Sequence, residues 1–301
     1  MKTSRQEVPT SGVQEVTANS TRLCYETYGS ADGAPLLMIM GLGTQLPDWD
    51  RAYCDDLVRE GFFVIRFDNR DCGLSQRFAG VPDLAAIRRG DLTSLPYALD
   101  DMAEDAVGLL DALEIPSAHV LGASLGGMIA QIVTIRWPGR VRSLCSIMSS
   151  TGDRAVGQAD PAALELVRMP APDTRDGVVA TAIARSRALA GSGFPFDEDA
   201  VRRRAAAAYD RAHYPAGRLR HQAAAVAASD RTAALAGVAV PTVVVHGSED
   251  RLVDVSGGRA TAAAVPGASL EIVDGMGHGL PAAAWPQIMR AVVRNARRAQ
   301  V

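Results

Sequence analysis

Gly122-Ala123-Ser124-Leu125-Gly126-Gly127 is the stretch on which the reading of this chain turns. It follows a short apolar run, Ala118-His119-Val120-Leu121, and opens a segment, Leu125 to Arg136, that reads as a helix. A G-x-S-x-G pattern at a strand-to-helix junction is the setting of a nucleophile elbow. The turn there is sharp enough to hold the serine in a strained backbone conformation, with no room for side chains two residues to either side. The helix N-terminus behind it offers free N–H groups and a partial positive charge suited to an oxyanion. The plainer alternative is a glycine-rich turn with a capping serine.

Working outward, similar apolar runs recur: Pro35 to Met40, Phe62 to Phe67, Val141 to Met148, Pro241 to Val245 and Ser269 to Val273, bounded by Gly, Asp, Pro or small polar residues. Short uninterrupted apolar runs suit strands buried on both faces of a mostly parallel sheet. Helical patterns lie between them, at Arg51 to Arg59, Leu99 to Leu113 and Pro281 to Arg297; in the second, Met102, Ala106, Leu109 and Leu113 form one apolar stripe. The alternation predicts an α/β class with right-handed crossovers. From about Thr151 to Ala236 no strand is legible, and Val178 to Leu189 and Glu198 to Tyr209 read as helices. The expected organisation is a core of residues 20–150 and 237–301, a helical cap of residues 151–236 inserted before the strand that carries the acid, and a polar N-terminal segment of residues 1–19.

A serine hydroxyl needs a base, and the base needs an acid to orient it. Of the five histidines, His119 falls inside the strand leading to the elbow, His213 and His221 belong to the cap, and His246 ends a strand in what reads as a structural position. His278, in Gly275-Met276-Gly277-His278-Gly279, lies on a loop between the last predicted strand and the last helix, and is the candidate base. The acid should follow the strand ending at Val245. Asp250 leads, Asp254 is the runner-up, and Glu249 reads as a solvated loop charge. Two backbone donors are needed for an oxyanion hole: Leu125, next to the serine, and Leu42, in the Gly41-Leu42-Gly43-Thr44 turn after an earlier strand. Gly41, Trp49, Met128 and Met276 flank these motifs and are candidates to line a substrate pocket.

Composition narrows the alternatives. The chain has 301 residues, 48% of them hydrophobic, with 31 basic and 34 acidic side chains and a net charge of -3. The charges are dispersed and a single cation is lysine, Lys2, so nothing outlines a nucleic-acid surface. No HExxH, no GxxxxGK[ST] and no GxGxxG order at the elbow point to a metal or nucleotide cofactor, and none is expected. Cys24, Cys54, Cys72 and Cys145 form no CxxC pair and read as reduced thiols. Met1 to Asn19 lacks the apolar core of a secretory signal, and no apolar run is long enough to cross a membrane. The expectation is a cytoplasmic protein with a small-molecule partner and neither nucleic-acid nor membrane partners; its oligomeric state is not legible.

Four motifs together, Met40-Gly41-Leu42-Gly43, Phe67-Asp68-Asn69-Arg70-Asp71-Cys72-Gly73-Leu74-Ser75, Gly122-Ala123-Ser124-Leu125-Gly126-Gly127-Met128 and Gly275-Met276-Gly277-His278, resemble those of the α/β-hydrolase superfamily, over roughly Leu23 to Val293. Within it the chain looks most like the aclacinomycin methylesterase group, whose members remove a methyl ester from an aromatic polyketide glycoside. The resemblance implies an α/β-hydrolase fold, Ser124 as nucleophile, Asp250 as acid, His278 as base, oxyanion donors at Leu42 and Leu125, and a helical cap over the pocket. Two positions depart from the common pattern: Met40-Gly41 where many members carry His-Gly, and Arg70-Asp71 where many carry Arg-Gly. The expected activity is carboxylic ester hydrolysis through an acyl-enzyme. The alternatives are lactone opening, perhydrolysis or cyclisation with the same triad, and a ligand-binding protein with a vestigial triad.

Overall fold

All six apolar runs become strands of one eight-stranded sheet in the computed structural model, which describes residues 8–170 and 172–300. In chain order the elements are β1 (Gln14–Ala18), β2 (Thr21–Tyr28), β3 (Ala34–Ile39), α1 (Arg51–Arg59), β4 (Phe62–Phe67), α2 (Leu84–Arg88), α3 (Leu99–Ala112), β5 (Ala118–Ala123), α4 (Leu125–Arg136) and β6 (Val141–Ile147). Then follow α5 (Pro161–Arg168), α6 (Arg175–Leu189), α7 (Glu198–Ala212), α8 (Pro215–Ala227), α9 (Thr232–Leu235), β7 (Thr242–Gly247), α10 (Val255–Ala264), β8 (Ser269–Val273) and α11 (Trp285–Arg297). The strand order is β1-β2-β4-β3-β5-β6-β7-β8. β2 runs antiparallel to both β1 and β4, and every other pairing is parallel.

Both faces are covered, which explains the uninterrupted apolar runs. Leu36 and Met38 of β3 join Val64, Leu121, Cys145 and Val243 in one core, closed by Tyr53 and Leu57 of α1 and Ile288 and Val292 of α11. Leu37 and Ile39 point the other way and join Ile65, Val120 and Leu144 in a second core, under Met102 and Leu109 of α3 and Ile129 and Val133 of α4. Because β3 to β8 run in one direction, the loops after them gather along one edge, where open α/β sheets place ligands.

The N-terminal expectation is corrected in part. Residues 1–7 lie outside the described residues, but Gln14–Ala18 is a strand, paired with β2 in a register that sets Ala18 opposite Thr21. Its polarity misleads because it is an edge strand with one row of neighbours. The readable signal was the two-residue turn: Asn19 and Ser20 have φ of 48° and 57°, as the central positions of a type I′ hairpin require.

Helices α5 to α9 occupy the chain between β6 and β7. Ion pairs hold α7 and α8 on the loop after β4. Arg211 meets Asp68 at 2.7 Å. Arg220 grips Asp71 with two nitrogens, at 2.7 and 2.9 Å. The Gln45 amide donates to the Ala208 and Ala212 carbonyls, closing the end of α7 at 2.7 and 3.0 Å. α9 packs on the core instead, with Leu235 against Val238 and Val265.

Candidate active site

Ser124 sits between β5 and α4 with φ 56° and ψ -120°. A non-glycine residue in the left-handed half of φ/ψ space is strained, and the surroundings enforce it. A Cβ on Gly122 would collide with the Gly126 carbonyl, and one on Gly126 with the Ile39 carbonyl, so the turn between them cannot relax. The Ser124 N–H is bonded to the Ile147 carbonyl of β6 at 2.9 Å. The hydroxyl is thereby held up at the strand edge.

His278 Nε2 lies 3.0 Å from Ser124 Oγ. Its Nδ1 lies 2.7 Å from Asp250 Oδ2. With a carboxylate on that side, Nδ1 carries the proton and Nε2 is free to accept the serine's. Asp250 is buried, and its other oxygen accepts the Leu252 and Val253 N–H groups, each at 2.9 Å. Burial alone would raise its carboxyl; the facing charge of His278 and hydrogen bonds from His246, His278 and Val253 outweigh it and hold the group well below the usual carboxylate range. His246 is itself wholly buried, with Nε2 bonded to the Val253 carbonyl at 2.8 Å and 3.4 Å from Asp250 Oδ2.

Of the other acids weighed, Asp254 caps α10, accepting the Ser256 N–H at 2.9 Å. Glu249 is no free loop charge. Its carboxylate accepts both the N–H and the hydroxyl of Ser192, each at 2.7 Å, tying the α6–α7 loop to the β7 loop. The same loop holds the histidine: the His278 N–H donates to the Leu189 carbonyl at 2.8 Å, and Gly193 N–H to the Gly275 carbonyl at 2.9 Å. The backbones meet so closely that a Cβ at Gly191 would strike the Gly275 carbonyl, and one at Gly277 the Leu189 carbonyl.

Gly41 lies beside the serine, the place of its missing Cβ being 3.3 Å from Ser124 Cβ. The Gly41 carbonyl is turned onto the Thr44 hydroxyl at 2.9 Å, so the N–H on the same peptide, that of Leu42, faces the opposite way. The Leu125 N–H lies in the first turn of α4, where no helical carbonyl precedes it. The next peptide of this loop is held at both ends by α8: Arg218 Nη1 donates to the Leu42 carbonyl at 3.3 Å, and the Gly43 N–H donates to His221 Nδ1 at 3.1 Å. The opposite ring nitrogen of His221 donates to the Arg70 carbonyl at 2.6 Å. Sequence reasoning placed His221 in the cap and assigned nothing to Arg218. The signal was their spacing of three on a helix opened by Pro215, which puts both on one face.

Two pocket expectations are corrected. Trp49 is buried in the core and stacked on Tyr53 with centroids 6.4 Å apart, and Met276 is fully buried in the same cluster, so neither presents a surface to a ligand. Met128 is half-buried against the second core. No group of three or more His, Cys, Asp or Glu side chains placed to hold a metal ion occurs among the described residues.

The alpha/beta hydrolase fold family matches residues 34–281 of this chain. The chain belongs to that family. This α/β hydrolase is 30% identical over 209 residues to the rhodomycin D methylesterase of Streptomyces peucetius, a match covering 63% of the chain and 66% of the methylesterase. It is 33% identical over 156 residues to an Acinetobacter baylyi 3-oxoadipate enol-lactonase, covering 51% of each. In fold it superposes on a thermophilic esterase from Thermogutta terrifontis with a TM-score of 0.69 at 20% identity, over 97% of the chain and 100% of the esterase.

Proposed function

We propose that this α/β hydrolase is a serine-dependent carboxylic ester hydrolase. The contact of Ser124 Oγ with His278 Nε2 at 3.0 Å, continued to Asp250 at 2.7 Å, carries the reading. Ser124 Oγ attacks the ester carbonyl carbon as its proton passes to His278, whose Nδ1–H stays on Asp250. The Leu42 and Leu125 N–H groups receive the carbonyl oxygen as it becomes an oxyanion. As the tetrahedral intermediate collapses, the carbon–alkoxide bond breaks and His278 returns the proton to the leaving alcohol. Water, deprotonated by the same imidazole, then cleaves the acyl-enzyme.

A methyl ester on a bulky, polyketide-like acid is the substrate that the methylesterase relatives support. Lactone opening is the second reading, supported by the enol-lactonase relative; the same attack then leaves alcohol and acyl group in one molecule. A cytoplasmic setting is supported by four buried, unpaired cysteines, which an oxidising compartment would not favour. No helix among the described residues is long and apolar enough to cross a membrane.

Ser124→Ala tests the mechanism. The wild type should be labelled by a fluorophosphonate and release methanol from methyl esters; the variant should fold, escape labelling and lose at least about a thousandfold in kcat. Turnover by Ser124→Ala at the wild-type rate overturns it.

A further inference from the structure

Arginines that are buried or partly buried in this fold are often matched by carboxylates: Arg66 by Glu26, Arg70 by Asp105, Arg211 by Asp68 and Arg220 by Asp71. Arg185 of α6 and Arg218 of α8 break the pattern. Arg185 donates from Nε to the Leu166 carbonyl at 2.7 Å and from Nη2 to the Met169 carbonyl at 2.6 Å. Arg218 donates from Nη1 to the Leu42 carbonyl at 3.3 Å and from Nη2 to the Val167 carbonyl at 3.2 Å. Among the described residues all four acceptors are main-chain carbonyls, and Arg185 Nη1 and Arg218 Nε have no partner. Burial, and then the neighbouring charge of Arg185, push the Arg218 guanidinium down to about 10, and burial lowers Arg185 as well. Both remain cationic at neutral pH, so two positive charges share one place with no acid to balance them. Arg231 differs. All three of its guanidinium nitrogens are occupied, by Gln131, Ser229 and Ser150, and Asp230 and Asp100 offset its charge.

Three of the four carbonyls belong to the C-terminal end of α5, and cations are attracted there. That accounts for the bonds made but not for two neighbouring charges with no acid beside them. The location supplies the rest. The stem of Arg218 packs on Gly43, where an added Cβ would sit 3.0 Å from its Cβ and Cγ, and its head holds the carbonyl of Leu42. The amide nitrogen and carbonyl oxygen of one residue are separated by only two bonded backbone carbons, so the guanidinium lies within roughly 7 Å of the Leu42 N–H. A group seated on it is a few bonds away from an ester carbonyl held at Ser124.

We propose that Arg185 and Arg218 receive a carboxylate carried by the substrate, so that this enzyme acts on hemiesters, acids with one carboxyl esterified and another free. The inference rests on the esterase reading and names its substrate class. Two planar forks presenting unused N–H groups suit a carboxylate, and an anion there offsets two partly desolvated cations.

The test compares mono-para-nitrophenyl glutarate with para-nitrophenyl valerate, matched in acyl chain and differing in the terminal carboxylate. The wild type should favour the hemiester in kcat/KM. Arg185→Gln, which keeps a donor for the carbonyls and removes the charge, should lower kcat/KM for the hemiester by about tenfold or more, mostly through KM, and leave the valerate ester within about twofold. Rising salt should erode the wild-type preference in the same way. An unchanged ratio in Arg185→Gln, or a wild type that hydrolyses the valerate ester as well as the hemiester, overturns the subsite and leaves the esterase reading standing. Where neither ester is turned over the esterase reading fails, and calorimetric titration with glutarate decides the subsite. Saturable binding lost in Arg185→Gln supports it; equal binding or none overturns it. Should Arg185→Gln not fold, Arg218→Gln takes its place in the titration.

Discussion

His221 is held between two backbones: its Nδ1 accepts the Gly43 N–H and its Nε2 reaches the Arg70 carbonyl. Burial pushes its pKa from 6.5 down to about 4, because the charged ring would lose its hydration there, with the Arg218 and Arg220 charges adding to the effect. The unfolded chain therefore takes up a proton near pH 6.5 that the folded chain refuses until about pH 4. The stability this contributes is complete above pH 6.5 and is lost as the pH falls from there toward 4. The two ring nitrogens can be separated by substitution. Asn sets its oxygen where Nδ1 was, and Gln sets its amide nitrogen where Nε2 was. With Leu42 as an oxyanion donor, His221→Gln should lose about tenfold in kcat with KM little changed, while His221→Asn keeps most of it. Steady-state kinetics on one ester measure both, and thermal melts from pH 7 to 4 should show a shallower acid decline in either variant.

At the scale of elements, the parallel strands were legible and their edges were not. β3 to β8 are apolar along their length because helices cover both faces, whereas β1 alternates polar residues at an edge and was read as a tail. The meeting of Ser124, His278 and Asp250 was legible because strand, glycine turn and helix follow one another around the serine and the other two follow later strands. What reaches the site from α6 and α8 was not, since Leu189 acts through its carbonyl and His221 and Arg218 act across about 180 residues of chain. The glycine seam between the α6–α7 loop and the His278 loop is such a contact. Gly191→Ala would drive a methyl group into the Gly275 carbonyl and Gly277 N–H, forcing the loops apart. It should lower kcat by about tenfold or more, since misplacement of a catalytic group by an ångström carries that order of cost, with circular dichroism unchanged. Wild-type kcat in this variant would mean that His278 does not depend on the seam.

For the whole molecule, the decisive contacts are the ionic ones between the helices after β6 and the loops of the sheet. Asp71 shows how sequence and tertiary structure meet. It stands where many relatives of this fold carry glycine, and its φ of 62° explains that preference. Aspartate tolerates this conformation better than most residues. It also accepts the Phe78 N–H at 2.7 Å and bonds from two of the three guanidinium nitrogens of Arg220. The departure from the family pattern is thus the anchor of α8, which no local reading reveals. Removing one partner of a buried pair leaves the other uncompensated. Arg220→Ala should therefore destabilise the protein by about 3–5 kcal/mol, read as a lower urea midpoint. Arg175→Ala, which breaks an exposed pair with Asp210, should leave that midpoint nearly unchanged.

The hydrogen bond from His278 to Leu189 has a further consequence. The imidazole hangs from the end of α6, so lifting that end to admit a molecule carries the imidazole away from the Ser124 hydroxyl. A door on this side disarms the enzyme whenever it stands ajar.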